Sequence, residues 1–193
     1  MIISPLKVLE LNEKYNLVSG LGERDSRNPE GIGLDLRVGT VHRLKGQSFL
    51  GIEKRSSPIE EKIGDVYEEG NKIITMRPGD FLIVTTMEKV NSPKKKVKIR
   101  WWLPRMYLIP FIFPRTSLQR GGIDLLCTKT DPGYMGVLTF GLKNVGDQDF
   151  SFELGARMFN LVYEAAFGDI NRPYTGQHQG GRVTSKGKIE IQT

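Results

Sequence analysis

Two arginines frame two hydroxyls in Arg115-Thr116-Ser117-Leu118-Gln119-Arg120. Eleven residues beyond Arg120 a lone acid, Asp131, opens the turn Asp131-Pro132-Gly133-Tyr134. Guanidinium groups bind phosphate oxygens bidentately and hydroxyls add short donors, so Arg115, Thr116, Ser117 and Arg120 suit an anionic, oxygen-rich ligand. The plain alternative is a surface turn with incidental ion pairs. A carboxylate held next to Pro-Gly sits on a rigid turn and suits a general base, although an aspartate there also commonly caps the backbone of its own turn. Gly121-Gly122 and a short apolar run through Leu126 and Cys127 separate the two clusters, and an alternating strand leads out to Asn144. This spacing is compatible with a β-hairpin that carries both halves of one site.

The surrounding chain must hold those groups in place. With 193 residues, 38% hydrophobic and 26% charged, it is expected to be one domain, 1–193, large enough for a real core. No apolar run approaches the roughly 18 residues of a membrane span, and the longest, Leu108 to Phe113, is broken by Pro110. The N-terminus lacks a basic-then-apolar leader pattern. A cytoplasmic location without membrane contact is therefore the expectation. Cys127 is the one cysteine, and with only His42 and His178 a Cys/His zinc site cannot be assembled. That excludes the zinc-dependent nucleobase deaminases. The net charge of +6 fits phosphate ligands, nucleic acid or a solvated lysine surface equally.

Ser4 to Tyr15 has a helix signature, with Ser4 placed to cap, Pro5 in the first turn and Leu6, Val8, Leu9 and Leu11 on one side. A polar connection, Ser19 to Gly33, follows. From Leu34 the period changes to two, and strands are predicted at Leu34–Val41, Lys72–Met76, Phe81–Thr86 and Met158–Ala166, with Gly51–Gly70 a charged loop with a short ribbon. Ser92 to Arg105 combines basic residues with Trp101 and Trp102. Its Lys-Val-Lys-Ile-Arg alternation reads as strands with lysines in water and tryptophans packed inward or at a subunit contact, in preference to a single-strand nucleic-acid surface. From Gly168 the composition turns to Gly, Gln, Thr and Lys, so 168–193 reads as a mobile C-terminal arm of the kind that closes over ligands. One short helix and many short strands with Gly/Pro punctuation predict an all-β fold, a distorted β-barrel or jelly-roll-like sandwich.

Five segments in the same order extend the central stretch into a resemblance. Pro-Arg-Thr-Ser-Leu-Gln-Arg followed by Thr-Asp-Pro-Gly-Tyr-Met-Gly, with Asn144 thirteen residues after Asp131, resembles the dUTPase/dCTP deaminase family. Glu30–Arg37 (EGIGLDLR), Arg77–Leu82 (RPGDFL), Phe152–Leu161 (FELGARMFNL) and Arg172–Arg182 (RPYTGQHQGGR) are similar to its other motifs. The resemblance implies a trimeric dUTPase-like fold, a homotrimer whose sites lie at subunit junctions, and a deoxynucleoside triphosphate, dUTP or dCTP, as ligand. It implies a phosphate grip at Arg115, Thr116, Ser117 and Arg120, and Asp131 as the catalytic base. It further implies that Tyr134 lies beneath the deoxyribose, that Asp35 supports the site, and that Mg2+ rides on the triphosphate. Tyr174 and Gln179 match nucleotide-contacting positions of the deaminase branch. Gln177 stands where that branch has a phosphate-binding lysine, and Arg182 is placed to replace the lost charge.

Gly141 separates the two chemistries within the family. Deaminases of this kind carry a glutamate ten residues after the motif aspartate, and here that position is Gly141 in Leu-Thr-Phe-Gly-Leu. Glycine cannot activate water or shuttle a proton to leaving ammonia, whereas phosphoryl attack by water does not need that glutamate. The resulting expectation is hydrolysis of dUTP to dUMP and pyrophosphate by Mg2+-assisted water attack on the α-phosphorus. Behind it stand a zinc-independent dCTP deaminase, alone or bifunctional with dUTPase activity, and then a non-catalytic nucleotide- or nucleic-acid-binding protein.

Overall fold

The structure is a computed structural model that describes residues 1–191; the last two residues of the predicted arm, 192–193, lie outside the described residues. In chain order the elements begin with β1 (Ile2–Ile3), α1 (Pro5–Tyr15), β2 (Val18–Ser19), α2 (Glu23–Arg27) and β3 (Leu34–Lys45). Then come β4 (Phe49–Leu50), β5 (Lys54–Ser56), β6 (Ile59–Asp65), α3 (Val66–Glu69), β7 (Ile73–Met76) and β8 (Phe81–Asn91). The second half is β9 (Tyr107–Pro114), α4 (Thr116–Arg120), β10 (Ile123–Leu126), β11 (Met135–Asn144), β12 (Phe150–Glu153), β13 (Arg157–Ala166) and β14 (Glu190–Ile191).

The predicted N-terminal helix is present. Pro5 occupies its first turn, Val8 and Leu11 are buried, and Asn16 ends it in a left-handed conformation at φ 49°. The main sheet runs β1-β13-β3-β8-β11-β10 and is antiparallel throughout. Its long strands change neighbours along their length: β3 pairs with β13 at Leu34–Arg37 and with β6 at Thr40–Lys45, with register shifts between. Such shifts bend a strand and increase its twist, which curls the sheet around its apolar face in the expected barrel-like manner. Leu36, Val38, Leu82, Leu142 and Phe159 lie fully inside, and the rings of Phe140 and Phe159 meet at 4.7 Å between centroids. Pro110 fits within β9 because β9 pairs only with β13 among the described residues, leaving its other edge free of a ladder that proline would break.

Three segments depart from the expectation. The polar connection before β3 contains α2, pinned because buried Asp25 accepts the backbone N–H of Asp35 at 2.9 Å. The charged loop after Gly51 contains β5, β6 and α3, whose Asp65 cap accepts from Tyr67 N. The arm is docked rather than free, with β14 beside β5 and a Ser57–Ser185 hydroxyl pair fastening its end. The Asp65 cap is local, two residues from Tyr67, whereas α2 and the arm depend on partners 10 and 128 residues away. No helix among the described residues is long and apolar enough to cross a membrane.

Candidate active site

The central hairpin forms as expected, with β10 antiparallel to β11 from Ile123↔Asn144 to Leu126↔Gly141. Asn144 closes its base from a buried position, donating to the carbonyls of Met76 and Gln148. α4 enters directly from β9, held by buried Leu118, and leaves Thr116, Ser117 and Arg120 exposed.

Within one chain, however, the hairpin does not bring its two clusters into one cavity. Arg115 and Thr116 line a cavity of about 450 Å³ with Asp35, Phe113 and Asn160. Asp131 and Tyr134 line another, of about 530 Å³, with Thr139, Tyr174, His178 and Arg182. The hairpin carries both clusters, but in one chain they face different cavities. α4 turns the phosphate-type cluster onto the β9–β13 side of the sheet, whereas the 127–134 loop projects beyond the end of β10.

Asp35 organises the first cavity. Arg24 Nη1, Arg115 Nε and Arg157 Nη1 each stand 3.4 Å from its Oδ2, and Asn160 donates to its Oδ1 at 3.1 Å. One carboxylate among three guanidinium groups leaves surplus positive charge, part of which Glu30 balances through Arg24. Arg115 is thus braced from behind, while the hydroxyls of Thr116 and Ser117 have no protein hydrogen-bond partner among the described residues.

The second cavity is built on the Asp131–Tyr134 turn and roofed by the arm. Asp131 is half-exposed and forms a close ion pair with Lys129. The Tyr134 hydroxyl donates to Val137 O, which fixes the ring. Burial and then the neighbouring Tyr174 push its pKa up to about 12, so it stays a neutral donor. The Tyr134 and Tyr174 rings are 6.1 Å apart at 53°. Tyr174 N donates to Pro132 O at 2.7 Å, tying arm to turn. Gln179 is spent on the same seam, accepting from Met135 N at 3.0 Å and donating to Gly133 O at 2.7 Å; it does not line the cavity. Arg182 does line it, with one guanidinium nitrogen bound to Glu190 and Nε donating to Thr184 O at 2.8 Å.

Residues missed from the sequence are Thr128, Lys129, Thr130 and Thr139. The Thr139 hydroxyl is buried without a hydrogen-bond partner, an open polar position in the cavity wall. Period-two spacing held the signal: Lys129 lies two before Asp131 in extended chain, and Thr139 two before Gly141 on one face of β11. Gly141 itself does not line this cavity. A Cβ there would meet the Phe81 ring at 2.8 Å and Leu126 Cβ at 3.3 Å, so apolar groups fill the space an acid would need.

The arm lies on the turn because Gly136 allows it. A Cβ on Gly136 would stand 2.4 Å from Gly180 C. Gly136→Ala is expected to lift the arm, since overpacking against backbone costs about 1–3 kcal/mol. Tryptic cleavage after Arg182 and Lys186 should accelerate by about tenfold or more while the core stays intact. Unchanged cleavage would mean that the arm is not held at this crossing.

A family model described as dCTP deaminase-like matches residues 8–166. The chain is 30% identical over 148 residues to a probable deoxyuridine 5'-triphosphate nucleotidohydrolase of Aeropyrum pernix, covering 77% of this chain and 82% of that protein. It is 24% identical over 190 residues to a dUMP-forming dCTP deaminase of Persephonella marina, covering 98% and 97%. In fold it is similar to the crystal structure of 2'-deoxycytidine 5'-triphosphate deaminase from Agrobacterium tumefaciens. That similarity has a TM-score of 0.61 at 16% identity and covers 88% of this chain and 49% of that one.

Proposed function

The chain belongs to the dCTP deaminase-like family, and from that premise we propose that it hydrolyses dUTP to dUMP and pyrophosphate. Asp131 takes a proton from water as the water oxygen bonds to the α-phosphorus. The bond from that phosphorus to the bridging β-phosphate oxygen breaks, pyrophosphate leaves with the electron pair, and Asp131 returns its proton to solvent. Tyr134, fixed by Val137 O, presents a flat ring beneath C2′ and excludes a ribose hydroxyl. Tyr174 and Arg182 close the cavity from the arm, and Gln179 holds that arm shut.

Arg115, Thr116, Ser117 and Arg120 grip the phosphates. Because Arg115 and Asp131 line different cavities of one chain, we assign the complete site to a homotrimer. One copy then supplies the base and the next supplies the grip. The oxygen donors around Asp131 are its own carboxylate and the hydroxyls of Thr128, Thr130 and Thr139, beside the cationic Lys129 and Arg182 and the His178 imidazole; hard oxygen donors suit hydrated Mg2+ carried on the triphosphate better than a softer metal. Bound with the triphosphate, Mg2+ would neutralise charge on the departing pyrophosphate.

The observation that carries hydrolysis over deamination is Gly141, with Phe81 and Leu126 occupying the space where a deaminase glutamate would stand. The dUMP-forming dCTP deaminase among the relatives keeps a bifunctional enzyme as the second reading. Incubation with Mg2+ and either dUTP or dCTP, following pyrophosphate and ammonia separately, decides between them. Pyrophosphate from dUTP with no ammonia from dCTP is the expected result, and ammonia from dCTP overturns the assignment.

A further inference from the structure

The segment between β8 and β9 is absorbed by neither cavity. From Lys89 to Arg105 the sequence holds seven cations and no acid. Its base is well anchored: Val97 and Met106 form an antiparallel bridge with N···O distances of 2.7 and 3.0 Å, Val97 and Ile99 are buried, and Lys98 N reaches Tyr15 OH at 3.3 Å. This is the alternation expected of Lys-Val-Lys-Ile-Arg, lysines outward. Neither tryptophan packs inward, because the chain turns at Arg100–Leu103, where Leu103 N donates to Arg100 O at 3.2 Å. The turn carries both indoles outward, leaving Trp101 83% and Trp102 56% exposed. They meet edge to face at 5.4 Å, and the Arg100 guanidinium stands 5.1 Å from the centroid of Trp102. Beside them a cleft of about 410 Å³ opens against α1, with Glu10 as the one acid in its lining.

We propose that this tip is a binding site for single-stranded polynucleotide. The two indole faces stack bases, and Lys94, Lys95, Arg100 and Arg105 neutralise phosphates. All four cations are exposed and none forms an ion pair among the described residues. Exposed indoles on an anchored turn give bases rigid platforms that are indifferent to sequence, and Arg100 adds a cation to the stack. A contact between copies of this chain fits less well, because interface cores are depleted in lysine and an acidic counterpart would be needed for every cation here. The site is independent of the hydrolytic reading, since none of its residues lines the Asp131 cavity.

Trp101 and Trp102 are the only tryptophans, so tryptophan emission of the full chain, excited beyond the tyrosine absorption band, reports on this tip alone. Titration with twenty-residue oligo(dT) and oligo(U) in low salt is expected to quench the emission. The logarithm of the binding constant should fall with the logarithm of salt at a slope near −3, about 0.7 for each of four phosphates. The stronger arm identifies DNA or RNA as the preferred strand. Lys94→Glu with Lys95→Glu, which keeps both reporters, should flatten the slope by about one unit or more. Trp101→Ala, followed by anisotropy of a labelled oligonucleotide, should weaken binding by about tenfold. No quenching by either strand, or a blue shift that follows protein concentration and oligomer size without nucleic acid, overturns the proposal. dUTP turnover should be unaltered in these variants whatever the strand result, so failure of one reading leaves the other intact.

Discussion

Asp131→Asn is expected to lower kcat for pyrophosphate release from dUTP by about 10²–10⁴, the usual contribution of a positioned general base. KM should move little, because the phosphate grip and the Tyr134–Tyr174 pair are untouched. The fold should tolerate the change: the carboxylate's side-chain partner is Lys129, Lys129 is exposed and Asp131 half-exposed, and surface pairs of this kind contribute about 0–1 kcal/mol. Thermal unfolding of the variant alongside single-turnover rates separates a lost base from a damaged protein. Lys129→Ala serves as the internal comparison, removing the ion pair while leaving the base. A variant that keeps the parental rate with Asn at 131 would remove Asp131 from the reaction and with it the assignment of this cavity as catalytic.

The second large effect falls on stability. Glu88 is fully buried, accepting from Arg37 Nε and Arg37 N at 2.8 Å each, while Arg37 Nη2 holds Gly20 O at 2.6 Å. Replacing Arg37 by methionine keeps the apolar stem and the backbone donor but leaves the carboxylate without its countercharge, a change that costs about 3–5 kcal/mol when a buried pair is broken from one side. Burial already holds the Glu88 pKa above the usual carboxylate value, against the lowering effect of Arg37; without the guanidinium it rises further. A raised carboxylate binds its proton more readily folded than unfolded, so its contribution is fully present at low pH and is lost as pH climbs through the folded pKa. The deficit of Arg37→Met should therefore be largest near neutrality and shrink on acidification. Adding Glu88→Gln should recover part of it. A deficit that stays constant with pH, in chemical denaturation at several pH values, would show that lost packing and not the stranded charge is responsible.

Much of this was legible in the chain, for reasons that differ by element. Pro5 and the Val8/Leu11 spacing were enough for α1 because a helix's own periodicity selects its buried face. Alternation located β3, β8 and β11, since a half-buried strand must place every second residue inward, and a nearly continuous apolar run located β13. The Asp131 turn was readable because Pro-Gly leaves the backbone few choices. The α2 helix was not, because it depends on Asp25 meeting Asp35 N across a stretch of chain. The arm was not, because what docks it are the carbonyls of Pro132, Gly133 and Met135 and the room above Gly136, none of which side-chain chemistry announces.

The chain's residues by themselves determined which chemistry is available: a carboxylate on a tight turn and an arginine–hydroxyl cluster, with the family resemblance marking Gly141 as the place where deaminases carry a glutamate. Side-chain type and local spacing carry that information without any folding. Only the tertiary structure decided where those groups stand. It put Arg115 and Asp131 in separate cavities, set Asp35 among three guanidinium groups, filled the space at Gly141 with Phe81, and turned Trp101 outward. The physical reason is that cavities, braces and exposure arise from contacts between segments far apart in the chain, and no local pattern encodes which of those segments will meet.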